Sequence, residues 1–376
     1  MISRITIENV VKRLFKGKAI LLFGARQVGK TTLLEYLINE RAELVMHLNG
    51  DEPDVRQTFT EITSTQIRNY IGDCKILFID EAQRIPNIGL TLKLITDQLK
   101  DVQVIATGSS SFEMANKMNE PLTGRKFLFN LFPLSFQEMV KHHGLVEEKR
   151  MLEQRLIYGA YPEIVTNPSD SIELLNLIAD SYLYKDLLML DNIKRPKLLE
   201  KILKALALQI GSEVSFNEIA QLVGADKGTV EKYIQLFEQT FVIFTLSSFN
   251  RNVRNELKKS KKIYFYDCGI RNAVIGNYNQ LHKRSDVGAL WENYLISERM
   301  KKMHYERKRV DSFFWRTTQQ QEIDFIEVEN EEIRAFEFKW NKVAKARFPK
   351  TFTKAYSTTE TSVITPANYE EFLLQD

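Results

Sequence analysis

The 376-residue sequence predicts an α/β fold, with a parallel, doubly wound sheet first, a helical and helix-turn-helix middle, and a second α/β unit at the end. Three observations lead there. Apolar strand-like runs alternate with helix-like segments as far as Thr107. After Phe136 the pattern turns mostly helical. A helix followed by three strand-like runs begins at Gly288. Strands that alternate with helices build a parallel sheet, because parallel neighbours need a crossover between them. A chain this long exceeds one ordinary core, so two or three domains are expected.

In the first part, Lys18 to Phe23 reads as a buried strand and Thr31 to Asn39 as a helix. Glu43 to Leu48 is strand-like, Ser64 to Ile71 helical, Lys75 to Ile79 an apolar strand, Gly89 to Leu99 helical and Val102 to Thr107 a buried strand. Glu148 to Tyr158, Ser171 to Met189 and Pro196 to Gly211 lack strand alternation and read as helices. Between Ser215 and Thr240 two helices meet at the tight turn Gly224-Ala225. Phe216, Ile219, Ala220, Leu222, Val230, Ile234 and Phe237 supply their packing faces. Val242 to Ser247 is strand-like, and the basic stretch Arg251 to Lys262 reads as a loop or wing. The last part offers a helix from Gly288 to Lys302 and strands at Ser312 to Arg316, Glu322 to Val328 and Ile333 to Lys339.

A hydrophobic share of 44% and a charged share of 27% are those of a soluble globular chain. The net charge of +3 excludes a polycation, so any nucleic-acid surface must come from local clusters of Lys and Arg. The two cysteines, Cys74 and Cys268, are too far apart in sequence for a CxxC pair, which argues against a disulfide framework or a zinc site. No apolar stretch reaches the roughly 20 residues of a membrane helix, and no signal-peptide pattern opens the chain. The expectation is a cytoplasmic protein without a membrane partner.

Residues 24–31, Gly-Ala-Arg-Gln-Val-Gly-Lys-Thr, fit GxxxxGK[ST] between a strand and a helix. Such a loop curls so that its N–H groups face phosphate oxygens, with the helix N-terminus adding its positive dipole end. Gly24, Ala25, Arg26, Gln27, Val28, Gly29, Lys30, Thr31 and Thr32 are the expected binders of ATP or ADP. Lys30 places a cation at the β and γ phosphates, and Thr31 offers a hydroxyl to Mg²⁺. The strand Ile76 to Ile79 ends in Asp80-Glu81, which brings carboxylates to the same sheet edge. Asp80 is the expected Mg²⁺ partner, and Glu81 the group that polarises the attacking water. Thr107 and Ser109, at the tip of the next strand, are candidates for contact with phosphate or water; an ordinary loop is the alternative. Arg125 is the arginine-finger candidate, in cis or across the boundary of a homo-oligomer, with a structural salt bridge as the other reading. Arg26 and Arg84 are weaker candidates.

The second helix of the helix-turn-helix segment presents Lys227, Thr229 and Lys232, but also the acidic Glu231 and Glu238. DNA is the partner expected for it, with phosphate contacts from Arg251, Arg254, Lys258, Lys259, Lys261 and Lys262; a protein-binding module is the alternative. Further on, Asp324 stands on one strand and Glu337-Phe338-Lys339 on the next, so Glu337 and Lys339 face the same side. With Glu292 from the preceding helix, Asp324 and Glu337 are expected Mg²⁺ ligands, and Lys339 can position water for phosphodiester attack. Lys342, Lys345, Arg347 and Lys350 could meet a phosphate backbone. The alternative is an inactive nuclease-like fold kept for binding.

Taken together, GARQVGKTTLL, LFIDEAQRIPN, TGSSS, LTGR with LFPLSFQEM, GAYPEIV, SYLYKDLLMLDNIK, KKIYFYDCGIRNAV, GALWEN, WRTTQQQEIDFI and FEFKW resemble a prokaryotic family of AAA-type ATPases with a C-terminal domain of unknown function. One departure is Lys185, where relatives are expected to carry arginine. The resemblance spans nearly the whole chain. It implies an AAA-like P-loop ATPase domain at 1–140, a helical segment at 141–210, a winged helix-turn-helix at 211–262 and a PD-(D/E)XK nuclease-like domain at 263–376.

Overall fold

The computed structural model describes residues 2–39, 41–109, 122–181, 195–249, 261–343, 347–356, 358 and 360–375. The chain forms two compact units, one chiefly of residues 1–134 and the other chiefly of residues 135–376.

In the first unit, β1 (Ala19–Gly24), β2 (Val45–Asn49), β3 (Ile76–Asp80), β4 (Gln103–Gly108) and β5 (Lys126–Leu131) form one sheet in the order β2-β3-β4-β1-β5. Every pairing in it is parallel. All five strands therefore end at the same edge, where crossover loops gather and where ligands bind in open α/β sheets. β1, β3 and β4 are buried along their whole length, as strands covered by helices on both faces must be. The helices Lys30–Asn39 and Ser64–Ile71 lie where the periodicity places them, the second opened by a Thr63–Gln66 capping box. β5 and the helices Ile5–Val11 and Pro53–Phe59 were not anticipated; each is short, with too few residues to show a clear period.

The second unit holds a seven-stranded mixed sheet in the order β12-β11-β10-β9-β7-β8-β6. Its strands are β6 (Glu213–Val214), β7 (Ile243–Ser248), β8 (Lys261–Phe265), β9 (Asp311–Arg316), β10 (Glu322–Glu329), β11 (Glu332–Phe338) and β12 (Glu360–Ile364). Lys261 and Lys262, expected in a basic loop, instead open β8, which pairs antiparallel with β6 and β7. The expected division between residues 262 and 263 thus falls inside a strand. β7 also pairs parallel with β9, so the strands beside the helix-turn-helix and those of the last part share one sheet. The two helices of that segment are Phe216–Val223 and Lys227–Gln239, with Gly224 left-handed at the turn. Leu222 does not pack as expected and is 71% exposed. The helical run expected at Glu148 to Tyr158 is split by Met151 into Leu145–Arg150 and Leu152–Tyr158.

Two of the motifs named above pack against each other in this unit. Asp267 caps the helix Cys268–Ile275 by accepting from the Ile270 N–H, and also accepts from the Ala160 N–H at 2.7 Å. A Cβ on Gly159 would lie 2.0 Å from Asp267 Oδ1, and one on Gly269 would lie 2.2 Å from the Tyr158 carbonyl. The glycines of GAYPEIV and YDCGIRNAV are therefore needed for close approach of two segments, a packing role. Asn272 adds hydrogen bonds to the carbonyls of Leu156 and Ile157. The long helix Val287–Glu306 is buried on most sides and carries the ion pairs Arg299–Glu327 and Lys301–Glu298. Residues 181–194, which include SYLYKDLLMLDNIK and Lys185, lie almost wholly outside the described residues, as do Ser110, Ser111 and the basic run 251–260.

Candidate functional site

The glycine loop joins β1 to the helix Lys30–Asn39 at the carboxyl edge of the first sheet. Gly24 lies beside Leu131 of β5, and a Cβ there would sit 2.2 Å from the Leu131 carbonyl oxygen. Gln27 and Gly29 take positive φ, at 60° and 89°, which curls the loop back on itself. Ala25 and Val28 are buried, while Arg26 is half-buried, and Gln27 and Thr32 are exposed. Lys30 Nζ folds into the loop and donates to the carbonyls of Gly24 and Ala25 at 2.9 and 2.8 Å. From below, the buried Arg4 donates to the carbonyls of Val28 and Phe132, bracing the loop against the end of β5. Arg4 precedes the first helix and carries no motif, so nothing in its sequence context marks it.

Asp80 ends β3 on the same edge. Thr31 Oγ1 donates to Asp80 Oδ2 at 2.8 Å, joining the loop to the acidic strand tip. Asp80 Oδ1 accepts from Thr107 Oγ1 and from the Glu81 N–H. Glu81 is held left-handed, at φ 46° and ψ 41°, and its backbone N–H also reaches Thr107 Oγ1 at 3.2 Å. The Gln83 amide donates to the Glu81 carboxylate and to Ser109 Oγ, so Thr107 and Ser109 are both drawn into this constellation. Gln83 was not anticipated. The structure thus brings together Lys30, Thr31, Asp80, Glu81, Thr107 and Ser109.

Arg125 is not part of it. β5 starts at Lys126, which pairs with Ala19 at the opposite end of β1 from Gly24. Arg125 accepts from the Ala19 N–H through its carbonyl, and its guanidinium bonds Asp97 at 2.7 Å. A strand of that length separates it from the loop by about 17 Å. The cis arginine-finger expectation is corrected by this register. Arg84 lies at the proper edge, beside Asp51 at 3.3 Å, because the turn Ala82–Arg84 follows Asp80 directly.

In the second unit the acidic residues meet lysines. Glu292 accepts from Lys262 Nζ at 3.1 Å and from the Tyr264 hydroxyl at 2.6 Å. Lys262 also pairs with Glu322. Asp324 stands opposite Glu337 on β10 and β11, at an irregularity between β10 and β9 of the kind that re-aims a side chain. Asp324 Oδ2 accepts from the Phe338 N–H at 2.8 Å, and Lys339 Nζ lies 2.7 Å from Glu337 and 3.6 Å from Asp324. Burial raises the Glu292 carboxyl to about 7, partly offset by Lys262. Burial and the neighbouring Asp324 likewise push Glu337 upward. Burial alone would depress Lys262, but Glu292 and Glu322 raise it above the ordinary lysine range.

Two expectations change here. Lys262 is 1% exposed and bound to carboxylates, so it is no phosphate contact; on a strand, alternate residues face opposite sides, and this one faces the core. The expected magnesium set of Glu292, Asp324 and Glu337 is not gathered either: among the described residues no group of three or more His, Cys, Asp or Glu could hold a metal ion. The ammonium groups divide the acids into two pairs of partners. Glu337 and Lys339 do converge as read from the strand period. On the helix-turn-helix, Lys227 and Lys232 are exposed, Lys227 lies 3.3 Å from Glu231, Thr229 bonds Asp226, and Glu238 accepts from Thr245. Lys345 lies outside the described residues.

Comparison with known proteins gives three successive matches along the chain. The AAA domain family matches residues 16–140, a domain of unknown function (DUF8612) matches residues 149–281, and another (DUF4143) matches residues 287–374. An uncharacterized protein of Methanocaldococcus jannaschii is 24% identical over 94% of this chain and 82% of its own length. One of Haemophilus influenzae is 25% identical over 89% of this chain and 85% of its own. Among solved structures, the Walker-type ATPase of Pyrococcus abyssi is similar over 73% of this chain and 96% of that one, at 16% identity and a TM-score of 0.50. No helix among the described residues is long and apolar enough to cross a membrane. With its five-stranded parallel sheet and its glycine loop, the first unit has the fold of a P-loop NTPase, and it matches the AAA domain family.

Proposed function

We propose that the first unit binds ATP with Mg²⁺ and hydrolyses it to ADP and phosphate. The observation that carries this reading is the 2.8 Å bond from Thr31 to Asp80, which sets a hydroxyl and a carboxylate side by side at the mouth of the glycine loop. Both are hard oxygen donors of the kind magnesium takes, so the residues present fit the ion. Bound there by Thr31 and Asp80, Mg²⁺ would neutralise charge on the phosphate oxygens. The loop N–H groups and Lys30 would grip the phosphates. Glu81, beside Asp80, would accept the proton of the attacking water, with Gln83 orienting its carboxylate. Titration calorimetry and phosphate release on the full chain test the reading: heat and turnover with ATP and magnesium are expected, and both should vanish in Lys30→Ala. Turnover unchanged in that variant would refute it.

For the second unit, the lysine pairing of the acids favours a nucleic-acid-facing module that binds without cutting, its docking gated by ATP against ADP. Glu292, Glu322, Asp324 and Glu337 already have cationic partners in Lys262 and Lys339. Lys227 and Lys232 on the second helix of the helix-turn-helix face solvent, where a recognition helix would present them. A nicking assay with Mg²⁺ or Mn²⁺ should show no cleavage. Nicking by the wild type that disappears in Asp324→Ala would make the unit a nuclease instead.

A further inference from the structure

Beside the acid–lysine groups lies a cleft of about 800 Å³, within the range of small-ligand pockets. Lys149, Arg150 and Lys342 line it against the single carboxylate Glu153, with Trp340 and Tyr369 as its aromatic wall. Trp340 directly follows Lys339 and is only half-buried, and its ring meets Trp291 edge-on at 5.5 Å. Trp291 in turn meets Tyr369 at 5.5 Å, and the Lys149 ammonium sits 5.9 Å over the Tyr369 ring. Glu370 pairs with Lys149 and Glu147 with Arg150, while Lys342 is exposed.

Among the described residues, three buried polar atoms at or next to the cleft have no hydrogen-bond partner: the Tyr369 hydroxyl, the Trp291 indole nitrogen and one oxygen of Glu370, whose other oxygen pairs with Lys149. An indole N–H can only donate, and burial together with Glu148 and Glu370 keeps the phenol protonated. An unmet buried donor costs free energy, so the Tyr369 hydroxyl, which lines the cleft, points to an acceptor that completes it. The cations, the Tyr369 hydroxyl and the aromatic face that line this cleft describe a ligand that is anionic, rich in acceptor oxygens and planar in part. We propose that this cleft binds a nucleotide unit, its phosphate among Lys149, Arg150 and Lys342 and its base against Trp340. Stacking on an aromatic face tolerates any base, so a strand can be held there without sequence preference. The unit can come from a single-stranded nucleic acid or from a free mononucleotide. The first source deepens the nucleic-acid reading of this unit; the second is independent of it and of the ATP site.

The test uses the full chain carrying Lys30→Ala, so that the glycine loop contributes nothing. A labelled oligo-dT is followed by anisotropy and adenosine monophosphate by titration calorimetry. Trp340→Ala should weaken binding of whichever probe the cleft takes by about tenfold or more. Lys342→Gln, an exposed change that spares the fold, should weaken it too, and with the oligonucleotide should reduce the salt slope by about 0.7. Tyr369→Phe, which removes only the hydroxyl, should weaken binding less. Sensitivity seen with oligo-dT assigns the cleft to a strand; sensitivity seen with the mononucleotide assigns it to a free ligand. Oligo-dT binding that ignores the cleft variants but falls in Lys232→Glu overturns the cleft and leaves the nucleic-acid reading standing. Binding of neither probe overturns both.

Discussion

Asp80 in the first unit and the acids of the second unit are all largely buried, Asp80, Asp324 and Glu337 on strands and Glu292 on a helix, yet their partners differ in kind. Asp80 is bound by two hydroxyls and a backbone N–H, from Thr31, Thr107 and Glu81. Glu292, Asp324 and Glu337 are bound by the ammonium groups of Lys262 and Lys339. Neutral donors orient a carboxylate and leave its charge for a cation that arrives later. An ammonium group supplies that charge from the chain itself. The comparison teaches that a buried carboxylate is left open to an outside cation or closed into an internal ion pair according to whether its neighbours are neutral donors or ammonium groups.

The largest effects separate the two acid types directly. Asp80→Asn should reduce ATP turnover by about 10²–10³, as expected when a group that serves the transferring phosphoryl is lost. Asp324→Asn should leave turnover unchanged. Steady-state phosphate release reads both, and equal losses would erase the contrast. Next comes Lys262→Met, which strands Glu292 and Glu322 without their cation and should destabilise the second unit by about 3–5 kcal/mol. Urea unfolding measures it, and Glu292→Gln in the same chain should restore part of the loss.

A smaller effect lies in the pH dependence. Burial raises Glu292 from its usual 4.5 to about 7, so the folded chain holds a proton there that the unfolded chain has released. Its contribution to stability is full below about pH 4.5 and is lost as pH rises through about 7. The decline should be on the order of 3 kcal/mol across that window. Unfolding at pH 5 and pH 8 checks the sign, and Glu292→Gln should flatten the curve. The smallest change is expected for Arg125→Ala. Its pair with Asp97 is partly exposed and should contribute about 0.5 kcal/mol, with turnover unaffected in a monomer. A hundredfold loss of turnover that depends on protein concentration would instead restore Arg125 as a finger in trans.

Much of the first unit was legible because strong periods and a spaced motif coincide there. The run Ala19–Gly24 is apolar throughout, the glycine loop follows it, and Asp80-Glu81 closes the next apolar strand. Arg125 was misjudged in cis because a motif's neighbourhood in sequence says nothing of which end of a parallel strand it occupies. The bond from Gln83 to Glu81, two residues on, was within reach, since DEAQ places an amide close to the acid in sequence. In the second unit the convergence of Glu337 with Lys339 followed from the strand period alone. Lys262 could not be placed, because a basic run reads as a solvated surface until one knows that part of it enters a sheet.

The sequence by itself determined the glycine loop, the acidic strand tip, the helix-turn-helix pair and the alternation of strands and helices around the loop, because these depend on local propensity and short spacing. Only the tertiary structure decided which charges meet. It turned Lys262 inward onto Glu292, moved Arg125 to the far edge of its sheet and seated Arg4 beneath the loop. Such pairings join residues as much as 221 positions apart, as Lys149 and Glu370 are. Long-range electrostatic contacts follow from strand order and register, which no local pattern encodes.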